Sequence, residues 1–457
     1  MTNRNRLPAD ALLLFLLLLA RIRIDTLADM VLPTRHQDVA RHPILGHIIS
    51  SKGMKLLSDW LTDPISLVLI SIAFGLAVVY LLLATDTDVK RTFKLRMAIL
   101  WLILVVVIVA PTAKLILLRQ QSGPASYCHD GGVIQTEEAT KLFLHGKNPY
   151  IENYTHTPLA QWGIKYHSAV YHYPYLPWTF VLSAPFYLAG QHLFGWYDER
   201  VLYLLLFSIL IVIAPYLAGD AEGKLMLVMI LGLNPIMGSD IIFGQNDLFV
   251  LFWIVLAFWM WAKWRKGKGR WWLVGSSAAY GLACASKPTA WYLAPFFAFL
   301  LLADGRLQVG RWKELAKRSL PAVGVFLALV LPYVVWGFDA MLDDIWKWSA
   351  GTSSVPYQIR GWGASNFVLA LGLVPDKLAY WPFWIPELLV GVPLLLWLAW
   401  RQSKSNTLAN AAWHSGLLLL VFFYVSRFMN ENYLGFILAL FAIGYFAWDS
   451  AYSEEAG

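Results

Sequence analysis

The chain reads as an all-α polytopic membrane protein with about 11–13 transmembrane helices and a short amphipathic helix in its first large extracytoplasmic loop. Three observations predict this class. Of 457 residues, 58% are hydrophobic and only 14% charged, against about 25% charge in an ordinary soluble domain. Apolar runs recur along the chain, most of them near the roughly 20 residues that a helix needs to cross about 30 Å of hydrocarbon. The 23 Trp and 21 Tyr suit the aromatic belts at membrane–water interfaces. The same composition excludes a soluble enzyme, a disordered chain and a disulfide scaffold. Cys128 and Cys284 are the two cysteines and read either as unpaired buried thiols or as one bridge.

Taken in order, the apolar runs lie at 65–84, 97–118, 176–194, 200–218, 247–262, 271–286, 288–303, 320–337, 378–400, 408–426 and 433–448. Basic residues sort between them. Lys90, Arg91, Lys94 and Arg96 separate the first two runs, and Lys263 to Arg270 follow the fifth. Arg306 to Arg318 follow the seventh, and Arg401 with Lys404 follows the ninth. Short basic loops stay cytoplasmic, so the net charge of +7 reports topology, and no nucleic-acid partner is expected.

The same rule places 119–175, 338–377 and 427–432 outside, with the turns at 244–247 and around Lys287. Three apolar stretches then separate two outside positions, whereas an even number of crossings is required. The sequence reading resolves this by making 225–243 a re-entrant hairpin broken at Asn234-Pro235, since irregular backbone at membrane depth is tolerated where it lines a cavity. Residues 1–62 form an N-terminal segment whose apolar stretch 11–20 suits either a tilted first helix or an interfacial one. Arg21 and Arg23 follow it with no small-residue cleavage site, unlike a cleavable signal. Residues 63–457 read as one transmembrane domain, and no internal repeat is evident.

Chemistry concentrates on the outer face. After Asp130, the Gly131-Gly132 turn leads into a helical register carrying Glu137 and Glu138, and Gly146-Lys147-Asn148-Pro149-Tyr150 stops it. Asp130 is the candidate catalytic carboxylate; the plainer alternative is a helix N-cap. The same face gathers Gln245, Asn246 and Asp247, then Lys287, Arg360 and Arg427, then Glu431, Asn432 and Tyr433. Each alone has a bland reading as a snorkelling cation, an interfacial anchor or a cap. His129, His156 and His172 read as hydrogen-bonded structural residues or sugar contacts, and Tyr150, Tyr171 and Tyr173 as belt aromatics.

An Asp in the first outer loop, a short helix, G-K-N-P-Y, then Y-H-Y-P-Y-L-P-W at 171–178, G-Q-N-D at 244–247, Lys287-Pro288 and N-E-N-Y at 430–433 together resemble a known pattern. It is that of multi-span C-type (GT-C fold) polyprenyl-phosphate-sugar-dependent glycosyltransferases, nearest to glycosyltransferase family 87. The outer loop is also similar to that of the first mannosyltransferase of glycosylphosphatidylinositol assembly. The resemblance runs from about residue 97 to 448, with no counterpart for 1–62, and Asn430–Tyr433 stands where relatives often carry a His.

The resemblance implies an inverting transfer of a sugar, mannose favoured, from a polyprenyl-phosphate donor to a hydroxyl on a glycolipid or lipid-linked glycan at the extracytoplasmic face. It further implies an enzyme working among membrane lipids, in the plasma membrane of a prokaryote, in cell-envelope glycan synthesis. Because phosphate leaves as a stable anion, one base suffices, unlike the two carboxylates of glycoside hydrolysis. Asp130 is nominated as that base, with Glu137 or Glu138 in reserve. Lys287, Arg360 and Arg427 would meet the phosphate. Gln245, Asn246, Asp247, Glu431, Asn432, Tyr433, His129 and His172 would line the substrate site. No metal or other cofactor is required; His129, Asp130 and Glu137 are the residues a divalent cation would use. The alternatives are a polymerase or ligase of lipid-linked glycans and a transporter or flippase, which more often places ionisable residues at midplane.

Overall fold

The computed structural model describes residues 9–31, 35–57, 62–86, 88–127, 130–162, 168–302 and 311–447. The chain is almost entirely helical, as the apolar runs predict. Among the described residues, seven helices are long and apolar enough to cross a membrane, and eight if the bent pair Ala221–Gly232 and Met237–Phe243 is one span. That is fewer than the sequence suggests, because Ala9–Val31 carries charges and Arg270–Cys284, Pro288–Leu301 and Glu431–Phe446 are short.

Two faces are fixed by contacts between chain-distant ends. On the basic face, Ala218 bridges Ala447, Lys263 lies 5.3 Å over the Tyr216 ring, and Asn406 donates to the Phe299 carbonyl at 2.6 Å. Helix starts there are capped by Asp88, Asp220 and Thr407, each accepting a first-turn N–H. At the other face, residues 130, 245–246, 287, 427–428 and 430–433 line one cavity.

The N-terminal segment contains one helix, Ala9–Val31, packed along the bundle between its two faces. Ala9–Val31 has 23 residues, which is about 34 Å. Near its start, Asp10 accepts from Tyr80 at 2.6 Å and Arg96 at 3.0 Å, tying it to the basic face. Farther along, Arg21 donates to Ser239 at 3.1 Å, on the helix that ends at the cavity face. Asp10 and Arg96 are fully buried, where an ion pair fixes helix register more than it adds stability. The short helices of 35–57 then return along the cavity face, where Asp38 bonds Tyr127 and Arg35 pairs with Asp63 at 3.1 Å.

The crossing count closes differently from the sequence reading. Trp178–Phe194 leaves the cavity face, where Trp178 N–H meets the Ala285 carbonyl at 3.0 Å. At Gly195, φ +74°, the chain turns back. A Cβ on Gly190 would meet the Trp196 carbonyl at 2.9 Å, so 196–199 runs back alongside the helix. Ser183 then donates to Glu199 at 2.7 Å, and Glu199 N–H reaches Glu137 at 3.0 Å. The chain therefore turns back at Gly195 and brings Glu199 toward the face where this helix began.

The stretch 225–243, expected as a re-entrant hairpin, is a helix pair bent by 46° that starts near Ala218 on the basic face and ends at Gly244, beside the cavity residue Gln245. Asn234-Pro235 makes the bend. Pro235 has no N–H, and Asn234 Oδ1 accepts from Ile236 at 3.1 Å and Met237 at 3.2 Å to restart the helix. Asn234 Nδ2 donates to Gly435 at 2.9 Å, locking the bend to the last helix.

Candidate active site

A cavity of about 780 Å³ is lined by residues from the start of helix Gly132–Leu144, from 162 and 168–175, Gln245-Asn246, 287–292, the long segment 345–387 and 422–433. Asp130 stands at its edge, half-buried, with Oδ1 accepting the Gly132 N–H at 2.6 Å. That is the turn expected of an Asp before Gly-Gly, and it holds the carboxylate against the cavity wall. A Cβ on Gly132 would come within 3.3 Å of the Tyr175 hydroxyl. Burial, and after it the Asp130 charge, pushes that hydroxyl well above the ordinary phenol range, so Tyr175 stays a proton-bearing donor.

Gly244 is the hinge of the adjoining wall. It sits at φ +87°, and a Cβ there would lie 1.9 Å from Val133 Cγ2, so only glycine lets the 132–144 helix press onto the turn. Beyond it, Lys287 Nζ lies 2.7 Å from Asp247 Oδ1 and 3.3 Å from Asn246 Oδ1. Asn432 bonds the other Asp247 oxygen. Lys287 also faces the rings of Tyr433 at 5.4 Å and Tyr175 at 5.8 Å. Asp247 is 1% exposed and lies behind the wall; it anchors Lys287.

Arg360 and Arg427 differ sharply. Arg427 is 2% exposed, and its guanidinium donates to the carbonyls of Tyr357 at 2.7 Å, Ala379 at 2.9 Å and Leu378 at 3.0 Å. It pins the segment 357–379 while also lining the cavity, so its guanidinium is largely engaged by carbonyls where a phosphate contact was expected. Arg360 is exposed, lines the cavity and makes no ion pair among the described residues. A two-residue parallel bridge of Arg360–Gly361 with Phe428–Met429 presents it. The backbones approach so closely that a Cβ on Gly361, φ +97°, would meet the Met429 carbonyl at 2.0 Å.

Glu137 and Glu138 do not line the cavity, so the reserve-base expectation is corrected. Arg119 grips Glu137 through two 2.7 Å bonds and also meets Asp198 at 2.8 Å. Asp198 in turn takes Arg200 at 2.7 Å. Burial raises both carboxyl groups. At Asp198 the Arg200 and Arg119 charges outweigh it and hold the group below the usual carboxylate range; at Glu137 burial prevails and the group is raised. Glu138 pairs with Lys141 at 2.6 Å. This network fastens the 132–144 helix to the 195–200 return.

His172 is likewise absent from the cavity wall. Its Nδ1 lies 2.8 Å from Asp344 Oδ1, and Nε2 faces the Val355 carbonyl at 3.1 Å. Asp343 Oδ2 stands 3.6 Å away, and these three side chains are grouped closely enough to hold a cation. As they stand, Asp344 also accepts from Tyr173 N–H at 2.9 Å, and the cluster ties the 168–175 loop to 343–355. Of the residues expected to hold a divalent cation, Glu137 is held by Arg119, and His129, like Cys128, lies outside the described residues. Cys284 is a free thiol. Tyr150 and Tyr173 are neither belt nor ligand: they pack edge-on with Phe180 and Tyr333 in a buried aromatic core. Tyr171 is exposed.

Gln245, Asn246, Glu431, Asn432 and Tyr433 all reach the cavity. So do residues that sequence reasoning missed, among them Thr289, Tyr175, Glu387 and Tyr357. Gln245 Oε1, Asn246 Nδ2 and Thr289 Oγ1 are buried without a hydrogen-bond partner. Left unmatched, each such atom costs about 1–3 kcal/mol, so these three offer hydrogen-bonding positions to whatever occupies the cavity.

Residues 219–336, about a quarter of the chain, match the family model described as dolichyl-phosphate-mannose-protein mannosyltransferase. The matched stretch contains the bent crossing, the 244–247 turn, Lys287 and Thr289. Neither a curated protein nor a solved structure matches the chain. The similarity over 219–336 supports a membrane glycosyltransferase of the C-type class.

Proposed function

We propose that this protein transfers a sugar from a polyprenyl-phosphate-linked donor to a hydroxyl acceptor, with inversion, in the cavity opposite its basic face. The observation that carries the reading is that one cavity is lined by the carboxylate Asp130 together with the cations Lys287 and Arg360. The acceptor oxygen bonds to the anomeric carbon while the carbon–oxygen bond to phosphate breaks from the opposite side. Asp130 takes the hydroxyl proton, and the phosphate departs as an anion toward the two cations. Arg360, exposed and without a carboxylate partner among the described residues, meets the phosphate through its planar fork. Lys287 acts beside it as a point charge held in place by Asp247. The match to a family of dolichyl-phosphate-mannose enzymes makes mannose the first sugar to test, and a glycolipid or lipid-linked glycan is the acceptor class.

The test is radiolabel transfer by protein in nanodiscs, offered polyprenyl-phosphate-linked mannose, glucose and arabinose with a lipid acceptor extract. Transfer from one donor is expected, falling at least a hundredfold in Asp130→Asn while donor binding persists. Full activity in that variant removes Asp130 as the base; no transfer from any donor removes the reading.

A further inference from the structure

Three unmatched polar atoms beside Lys287 specify a ligand by their hydrogen-bonding character. Gln245 Oε1 only accepts, Asn246 Nδ2 only donates, and Thr289 Oγ1 does both. The Asn246 amide is oriented by Lys287, which faces its Oδ1 at 3.3 Å and leaves Nδ2 as the unmatched atom. Asn246 and Thr289 are 4% and 8% exposed, and all three residues line the cavity.

A phosphate or carboxylate brings only acceptors and would set an anion against Gln245 Oε1. An ammonium brings only donors and would leave Asn246 Nδ2 unanswered. An isoprenoid chain would answer none of them. Hydroxyl groups, which donate and accept together, satisfy all three. Lys287 faces Asn246 but is paired with Asp247 at 2.7 Å, and its remaining donors serve the departing phosphate, so the subsite keeps no cation for an ionised sugar. We infer that Gln245, Asn246 and Thr289 hold the glycosyl group of the donor, an uncharged sugar bound through its hydroxyls, and that Thr289 is a specificity-determining residue. This rests on the reading of the cavity as a glycosyl-transfer site. It divides that cavity into a phosphate end at Arg360 and a sugar end at Thr289.

Equilibrium binding to the full chain in nanodiscs tests the inference without requiring turnover. The ligands are polyprenyl-phosphate mannose, its monodeoxy analogues and polyprenyl phosphate alone. Thr289→Val is expected to weaken mannosyl-donor binding about five- to tenfold, the worth of one net hydrogen bond. Polyprenyl-phosphate binding should be unchanged, and one deoxy analogue should bind wild type and variant equally. Thr289→Ser, which keeps the hydroxyl, should retain wild-type discrimination. An equal loss for polyprenyl phosphate and for every deoxy analogue would make Thr289 a packing residue, and no loss at all would overturn the contact. Transfer is scored separately. A protein that shows the binding pattern but transfers to no acceptor keeps the sugar subsite and loses the transferase reading. One that transfers while Thr289→Val discriminates as wild type does the reverse.

Discussion

Lys287 is assigned two tasks, compensation of a buried carboxylate and contact with the donor phosphate, and the two separate experimentally. Asp247 is 1% exposed and depends on Lys287 at 2.7 Å and on Asn432. Removing one member of a buried ion pair costs about 3–5 kcal/mol, because the survivor is left desolvated and uncompensated, whereas replacing both members is often close to neutral. Lys287→Met should therefore lower the apparent melting temperature of the detergent-solubilised protein by several degrees. The double variant Lys287→Met/Asp247→Asn should recover most of that loss, since an amide at 247 still bonds Asn432. Donor affinity should behave differently. Loss of a charge-assisted contact worth about 1.5–3 kcal/mol should weaken polyprenyl-phosphate binding roughly ten- to a hundredfold, and the double variant should stay weak. Equal stability in the single and double variants would refute the compensation argument. Recovery of donor affinity in the double variant would refute the phosphate contact.

Two further outcomes follow from local geometry. Gly244→Ala should destabilise by about 2–5 kcal/mol, combining left-handed strain with overpacking against Val133; Val133→Ala should relieve part of this in a double-mutant cycle, and purely additive melting shifts would count against the contact. Asp63 takes Arg35 and Lys114, which outweigh the upward push of burial and bring its carboxyl from 3.8 down to about 2. Because the folded value is depressed, the stabilisation is present above the unfolded pKa and is lost as pH falls from about 5 through 2, a loss of about 2 kcal/mol. Asp63→Asn should flatten that limb of an acid-denaturation profile, and an unchanged limb would show that the carboxylate is not held this way.

Much of this was legible because it follows from sidedness. Basic loops identify one face, and Asp130, Gln245, Asn246, Lys287, Arg360 and Glu431 all lie in segments forced to the other, so their convergence on one cavity is a consequence of topology. What escaped reading depends on direction within a segment. Glu137 and Glu138 occupy a helical register that says nothing about which side meets the cavity, and Arg119, about one turn from the end of the preceding helix, claims the first of them. Arg427 looks like any anionic-ligand arginine until three carbonyls from 357–379 surround it. Thr289, Glu387 and Tyr292 sit inside apolar runs where no charge pattern marks them. The 178–194 helix has the hydropathy of a crossing, and only the Gly195 turn and the back-run to Glu199 reveal its return.

That return governs where the chemistry can happen. The helix has 17 residues, about 25 Å of length against roughly 30 Å of hydrocarbon, so a few added apolar residues would let it reach the opposite headgroups. Every later segment would then insert upside down. Asp130 would remain in one leaflet while Gln245, Lys287, Thr289 and Arg360 emerged in the other, with a full bilayer between the base and the groups that face the leaving phosphate. A single-sided reaction centre built from pieces more than two hundred residues apart thus depends on one helix being too short, and too firmly fastened at Glu199, to go through.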